Sequence, residues 1–223
     1  MMAPARRPPT TRAALRVIPG GADAQAAPPA LSDVELVAAL QRGDREAAGA
    51  LVDRYGPLVN RLLLRTLGAG PDHDDRVQES FIECLRSVRS MRDGSMLRAW
   101  VTTITVRVAR AELRRRKLRR WLTLSPSVES VAPEASVDPD PESREALRAA
   151  WRLLDAMPTE ERLAFTLRYV HGEELTAVAE AVGCSLATIK RRLSKAEARF
   201  REGANADPAL APWVARGGRW GSP

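Results

Sequence analysis

The sequence predicts an all-α protein of two small helical domains joined by a flexible acidic linker. Three observations carry that expectation. Apolar residues recur at three- and four-residue spacing in one segment after another, no segment alternates convincingly with period two, and a proline-bearing acidic stretch separates the helical segments into two groups.

Residues 1–30 are rich in Pro, Ala, Gly and Arg, lack periodicity and read as a disordered extension. Order is expected from "LSDVELVAAL", where Ser32 and Glu35 fit a capping box ahead of an apolar stripe. Helical patterning continues through "DREAAGALVDRYGPLVNRLLLRTL" to Gly68, with a bend expected near Gly56-Pro57. A further helix is expected from Asp72 to about Val88, its buried side carrying Val77, Phe81, Cys84, Leu85 and Val88. After the loop "RSMRDGSM", a long helix from about Leu97 to Arg120 completes a first domain over residues 31–120. Residues 121–143 form the linker, in which "TLSPSVESVAPEASVDPDPES" holds four prolines and is acidic.

The second domain spans residues 144–202. It opens with "REALRAAWRLLDAM" and "PTEERLAFTLRYV", where Pro158 suits a first turn and Glu160 and Glu161 suit a helix N-terminus. Residues 203–223 form a tail without periodicity. Trp213 and Trp220 are costly to leave in water, so either they dock this tail on a folded domain or on a regulator, or the tail is floppy.

Lysine and arginine number 35 against 28 acids in 223 residues, a net charge of +7 with pI near 10.3. That balance favours a polyanionic partner. Two cysteines, Cys84 and Cys184, suggest neither a disulfide framework nor a cysteine-based zinc site; they fit a reducing interior and read as small core residues. No apolar run reaches the roughly 18 residues of a membrane span. The twin arginine near the N-terminus has no apolar region behind it, so a secretory signal is rejected and a cytoplasmic location is expected.

The segment "LTAVAEAVGCSLATIKRRLSKAEARF" carries the first chemical signal. Leu175, Val178, Ala179 and Val182 share one helix face, and Gly183 follows where a left-handed backbone angle is cheap for glycine. Ser185 can cap a second helix whose buried side holds Leu186, Ile189 and Leu193. This is the arrangement of a DNA-reading helix-turn-helix. Thr188, Lys190, Arg191, Arg192, Lys195 and Arg199 are left to face outward, towards phosphates or base edges. An ordinary helical hairpin with a solvated basic face is the bland alternative.

In the first domain, "TVRVARAELRRRKLRR" sets eight cations against one acid, Glu112, and reads as a phosphate-facing stripe. Trp100, Val101, Ile104, Val108 and Leu113 would anchor its other side. Upstream, "DHDDRVQESFIECL" is acidic around an apolar stripe. A basic helix beside an acidic patch suggests two partners, DNA for one surface and a protein for the other.

At this point the chain resembles a known family. "DVELVAALQRGDREAAGALVDRYGPLV", "DHDDRVQESFI", "LRAWVTTITVRVARAELRRR" and "LDAMPTEERLAFTLRYVHGEELTAVAEAVGCSLATIKRRLSKAEARF" look like successive regions, in order, of a bacterial RNA polymerase sigma factor of the extracytoplasmic-function (ECF) group. The two domains then resemble sigma regions 2 and 4. The resemblance implies docking on core RNA polymerase through Asp72, Asp75, Gln78 and Glu79, with Val77 and Phe81 in the core. It implies opening and reading of the −10 promoter element by the loop from Arg92 to Arg98 and by Arg107, Arg110, Arg114 and Arg115. The −35 element would be read as duplex through Thr188, Lys190, Arg191 and Lys195, the linker would thread the RNA exit path, and an anti-sigma factor is an expected partner. Many members carry asparagine where Arg107 sits and aspartate where Ala111 sits, so a different −10 preference is expected here.

Two rivals are weighed against this. Asp72, His73, Asp74, Asp75 and Glu79 would be metal ligands in a phosphodiester-cleaving enzyme, but adjacent carboxylates at a helix start more often serve the dipole or a docking face. A stand-alone helix-turn-helix regulator leaves the first domain's paired acidic and basic surfaces unexplained. The expectation is a non-enzymatic factor with no cofactor and no metal.

Overall fold

The structure, a computed structural model, describes residues 31–123 and 140–215. The N-terminal extension, most of the linker and Trp220 lie outside the described residues. Every regular element among the described residues is helical.

The predicted capping box opens α1, Asp33–Gln41: the Ser32 amide donates to Glu35 at 2.8 Å and the Glu35 amide returns a bond to Ser32 Oγ at 3.3 Å. Asp33 then accepts from Arg54 at 2.8 Å and from the Tyr55 hydroxyl at 2.6 Å, tying α1 to α2, Arg45–Leu67. The bend expected at Gly56-Pro57 does not break this helix, which runs through Pro57 uninterrupted. Buried Leu51, Tyr55, Val59 and Leu62 seat the turns on both sides of the proline in one core, which offsets the lost backbone bond.

The third helix, α3, covers His73–Ser87, and His73 Nε2 meets Asn60 Oδ1 of α2 at 2.5 Å. Phe81 and Cys84 are buried as expected, and burial pushes the Cys84 thiol up to about 12. Leu85 is 41% exposed, so it belongs to the outer face and not to the core stripe. Two 3-10 turns, Val88–Ser90 and Gly94–Met96, lead into α4, Leu97–Thr123.

Beyond the linker come α5 (Pro141–Ala156) and α6 (Thr159–Phe165), the latter continued by a π-helical turn over Thr166–Val170. The helix-turn-helix forms as its residues require. In α7, Leu175–Val182, buried Val178, Ala179 and Val182 face inward, and Gly183 turns the chain with φ 71° and ψ 48°. Ser185 Oγ accepts from the Thr188 amide at 3.2 Å and opens α8, Leu186–Ala206. Ile189 and Leu193 are buried, but Leu186, expected beside them, is 38% exposed because it sits in the first turn past the cap.

Helical structure also continues into the expected tail, through the end of α8 and α9, Ala211–Ala215. The anchor there is Leu210, buried in a cluster with Phe200 and Ala204, while Trp213 stays 42% exposed. Phe165 stacks on Phe200 at 5.0 Å in the same cluster.

The two helical regions share a core. One apolar cluster joins Leu63, Val101, Val108 and Leu113 of the first region to Leu163, Leu167, Val178 and Ile189 of the second. Helix α4 is the central element, packed on α2 and α3 and also on α6 and α7. It therefore buries Val106 and Ala109 as well as the anticipated Val101, Ile104 and Val108, more than one helical stripe can account for.

Candidate polymerase and nucleic-acid interfaces

Three surfaces follow from this arrangement. The first is the outer face of α3. Asp75, Gln78, Ile82 and Leu85 recur at three- and four-residue spacing and are all exposed, which makes a stripe that is polar at one end and apolar at the other. Asp72 is half-buried at the N-cap position without a side-chain cap bond. The Glu79 carboxylate is engaged by Arg76 in a short ion pair. The stripe's apolar end was missed in the sequence because Leu85 also fits the three- and four-residue pattern of the buried side.

The second surface is the loop ahead of α4. Gln41 of α1 donates to the carbonyls of Met91 at 2.8 Å and Val88 at 3.2 Å, pinning the loop's start. Asp93 accepts from the Ser95 hydroxyl at 2.7 Å and amide at 2.9 Å, and those bonds hold its carboxyl below the usual range. Gly94 lies so close to α1 that an added Cβ would stand 2.8 Å from Val34 Cα. This leaves Arg92 and Arg98 exposed on a loop whose backbone is fixed from below.

The third surface comprises the basic flank of α4 and the outer face of α8. The continuous phosphate-facing stripe expected on α4 is not what the structure contains. Glu112 is 1% exposed and gathers Arg115 at 3.1 Å, Arg116 at 2.9 Å and Arg119 at 3.1 Å. Arg116 also donates to the Leu67 carbonyl at 2.7 Å, so it closes the C-terminus of α2. Arg120 pairs with Asp155 at 2.8 Å. Arg110 and Arg114 both reach Glu160, at 3.0 and 3.2 Å. Arg98 is 3.6 Å from Glu173, and Arg107 is exposed to solvent. On α8, Lys190, Arg191 and Lys195 are exposed, whereas Thr188 is half-buried and occupied with Ser185 at the cap. Arg192 is drawn to Glu160 at 3.0 Å and Arg199 to Glu161 at 2.9 Å.

Behind these surfaces sits one buried cation. Arg162 is 2% exposed, donates to the Thr66 carbonyl at 3.0 Å and to Asp155 at 2.6 Å, and lies 5.5 Å from the Trp151 ring centroid. Burial lowers its pKa and Asp155 works against that. It places a positive charge at the C-terminus of α2, where the helix dipole favours one. Sequence reasoning passed over it because its partner is 96 positions away.

Among the described residues no group of three or more His, Cys, Asp or Glu side chains is arranged to hold a metal ion, and no helix is long and apolar enough to cross a membrane.

A helical first region with a fixed loop and an arginine-bearing helix, followed by a helix-turn-helix, is the build of a sigma-70-type transcription factor. The sigma-70 region 2 family model matches residues 51–119, and the sigma-70, region 4 model matches residues 147–200. The chain is 32% identical over 179 residues to the ECF RNA polymerase sigma-E factor of Haemophilus influenzae, covering 74% of this chain and 92% of that protein. The fold is similar to that of CnrH solved with the cytosolic domain of CnrY (TM-score 0.56, 22% identity, 78% of this chain and 98% of that one). It is also similar to the sigma factor RpoE solved with the anti-sigma factor NepR from Bartonella quintana (TM-score 0.54, 24% identity, 70% and 95%). The chain belongs to the ECF sigma factors: it is a transcription-initiation factor that acts on RNA polymerase, in a family of non-catalytic proteins. Membership disfavours the stand-alone regulator.

Proposed function

We propose that the chain docks on core RNA polymerase through the exposed stripe of α3 and that the resulting holoenzyme recognises and melts promoters. Asp75 and Gln78 supply the polar contacts, Asp72 and Glu79 flank them, and Ile82 and Leu85 supply apolar area that docking would remove from water. In this reading Arg92 and Arg98 border a pocket for an unstacked base of the −10 element, and Arg107, Arg110, Arg114 and Arg115 meet its backbone. Lys190, Arg191 and Lys195 face the −35 duplex, with Thr188 at the helix start. The work is done in the cytoplasm and without catalysis, and an anti-sigma factor holds the chain in reserve, a reading supported by the sigma factor RpoE having been solved in complex with the anti-sigma factor NepR.

The observation that carries this reading is the α3 stripe, because exposed Ile82 and Leu85 beside exposed carboxylates need a protein partner more than a solvent one. Size-exclusion chromatography with core RNA polymerase tests it. The wild-type chain is expected to co-elute, and an Asp72/Asp75/Glu79 charge reversal or an Ile82→Lys variant to elute alone. Co-elution of all three would remove α3 from the interface, and failure of the wild type at micromolar concentration would sink the reading.

A further inference from the structure

The two surfaces assigned to DNA are folded against each other. Arg114 and Lys117 of α4 and Arg191, Arg192 and Lys195 of α8 line one open cleft of about 450 Å³, together with Glu160 and Glu161 of α6. The −10 and −35 elements lie roughly 25 base pairs apart by their positions, or about 85 Å along B-form DNA at 3.4 Å per pair. Helices that line a single cleft cannot span that length, so the arrangement described here is closed with respect to a whole promoter.

One carboxylate occupies the centre of this closure. Glu160, in the first turn of α6, takes Arg110 Nε at 3.0 Å and Arg114 Nη2 at 3.2 Å from the first region, and Arg192 Nη1 at 3.0 Å from the helix-turn-helix. Arg110 reaches further to the Val182 carbonyl at the end of α7, at 2.7 Å. An oxygen pair with one negative charge, held by three guanidinium groups, is the local chemistry of a DNA phosphate. We propose that Glu160 is an autoinhibitory latch, a phosphate mimic that occupies the arginines of both DNA surfaces and holds the free chain closed until polymerase docking separates the two regions.

This rests on the assignment of α4 and α8 to promoter DNA. The latch has the features a reversible closure needs. Glu160 is 27% exposed, so its ion pairs are reachable by competing phosphate and weakened by salt. The interface around it combines the shared apolar core with Arg98–Glu173 at 3.6 Å and the bond from Arg65 to the Val170 carbonyl at 3.0 Å. Opening exposes that core, so closure of the isolated chain rests on the core and the latch together, and loss of the latch raises the open fraction.

The test uses the full-length chain without polymerase. Small-angle scattering gives the radius of gyration, and anisotropy with a labelled promoter duplex at low salt gives DNA affinity, for wild type, Glu160→Gln, Glu160→Ala and Glu174→Gln. Glu174 is an exposed carboxylate in the same region, 3.8 Å from Arg168 and away from the cleft, so it controls for simple loss of negative charge. The latch predicts a larger radius and about ten-fold tighter DNA binding for the Glu160 variants, since apparent affinity follows the fraction of open chain, and little change for Glu174→Gln. Glu160→Ala removes the acceptors that a glutamine amide retains, and far-ultraviolet circular dichroism verifies that helix content is kept. Equal tightening by Glu174→Gln, or an unchanged radius in both Glu160 variants, would overturn the proposal. Neither readout contains polymerase, so a failure of core docking and a failure of the latch are told apart.

Discussion

At the scale of single residues, the arginines divide into those that hold the protein together and those left for a partner, and the division follows from burial. Arg162 belongs wholly to the first group. Its replacement by methionine keeps the apolar stem but orphans the Thr66 carbonyl and frees one side of Asp155. A loss of about 2 kcal/mol is expected, read as a lower urea midpoint with an unchanged slope. Asp155 retains Arg120 at 2.8 Å, which limits the damage. Glu112 plays the complementary part: a buried carboxylate among Arg115, Arg116 and Arg119 lets one helix carry so many cations without repelling itself apart. Arg115 and Arg119 stay about half-exposed beside it, whereas Arg116 is largely covered, and in the proposed function Arg115 also meets DNA.

At the scale of elements, the loop ahead of α4 shows how a sequence signal becomes a shaped surface. Its bend depends on Asp93 bonding Ser95 and on Gly94 lying against α1. Gly94→Ala sets a Cβ 2.8 Å from backbone Val34 Cα, so the loop or α1 must shift, at about 1–3 kcal/mol. In the proposed function this shift disturbs the −10 pocket and leaves α3 untouched. Promoter melting by the reconstituted holoenzyme is therefore expected to fall several-fold while affinity for core polymerase is kept; equal loss of both would show that the loop is not a separate functional unit. The helix-turn-helix is the opposite case. Its glycine turn, its serine cap and its buried Val178, Val182 and Ile189 were all legible, since each depends on residues within a few positions.

At the scale of the whole molecule, stability depends on a seam between the two regions, and one titratable group reports on it. His171 follows the π-helical turn, and burial together with Arg65 and Arg61 of α2 lowers its pKa from 6.5 to about 4. The unfolded chain thus takes up this proton near pH 6.5 and the folded chain only near pH 4. Stability from this group is full above pH 6.5 and is lost as pH falls towards 4. The loss is about 2 kcal/mol once its partial exposure is allowed for. Urea midpoints at neutral and mildly acidic pH should diverge for the wild type and lie closer together for His171→Gln; parallel profiles would show that the histidine stays solvated.

What the sequence determined by itself is whatever repeats within a few residues: the succession of helices, the capping box at Ser32, the cap at Ser185, the left-handed turn at Gly183, and the order of motifs that marks the family. Those features depend on helical periodicity and local hydrogen bonding, which adjacent residue types dictate. Only the tertiary structure decided that α4 is buried on two sides, that Leu85 and Leu186 face outward, and that Glu160 engages arginines of both α4 and α8. A helix's pattern says which residues share a face, but not which of two moderately apolar faces finds a partner. Charge pairs such as Arg110–Glu160, 50 positions apart, exist only once packing has brought distant segments together.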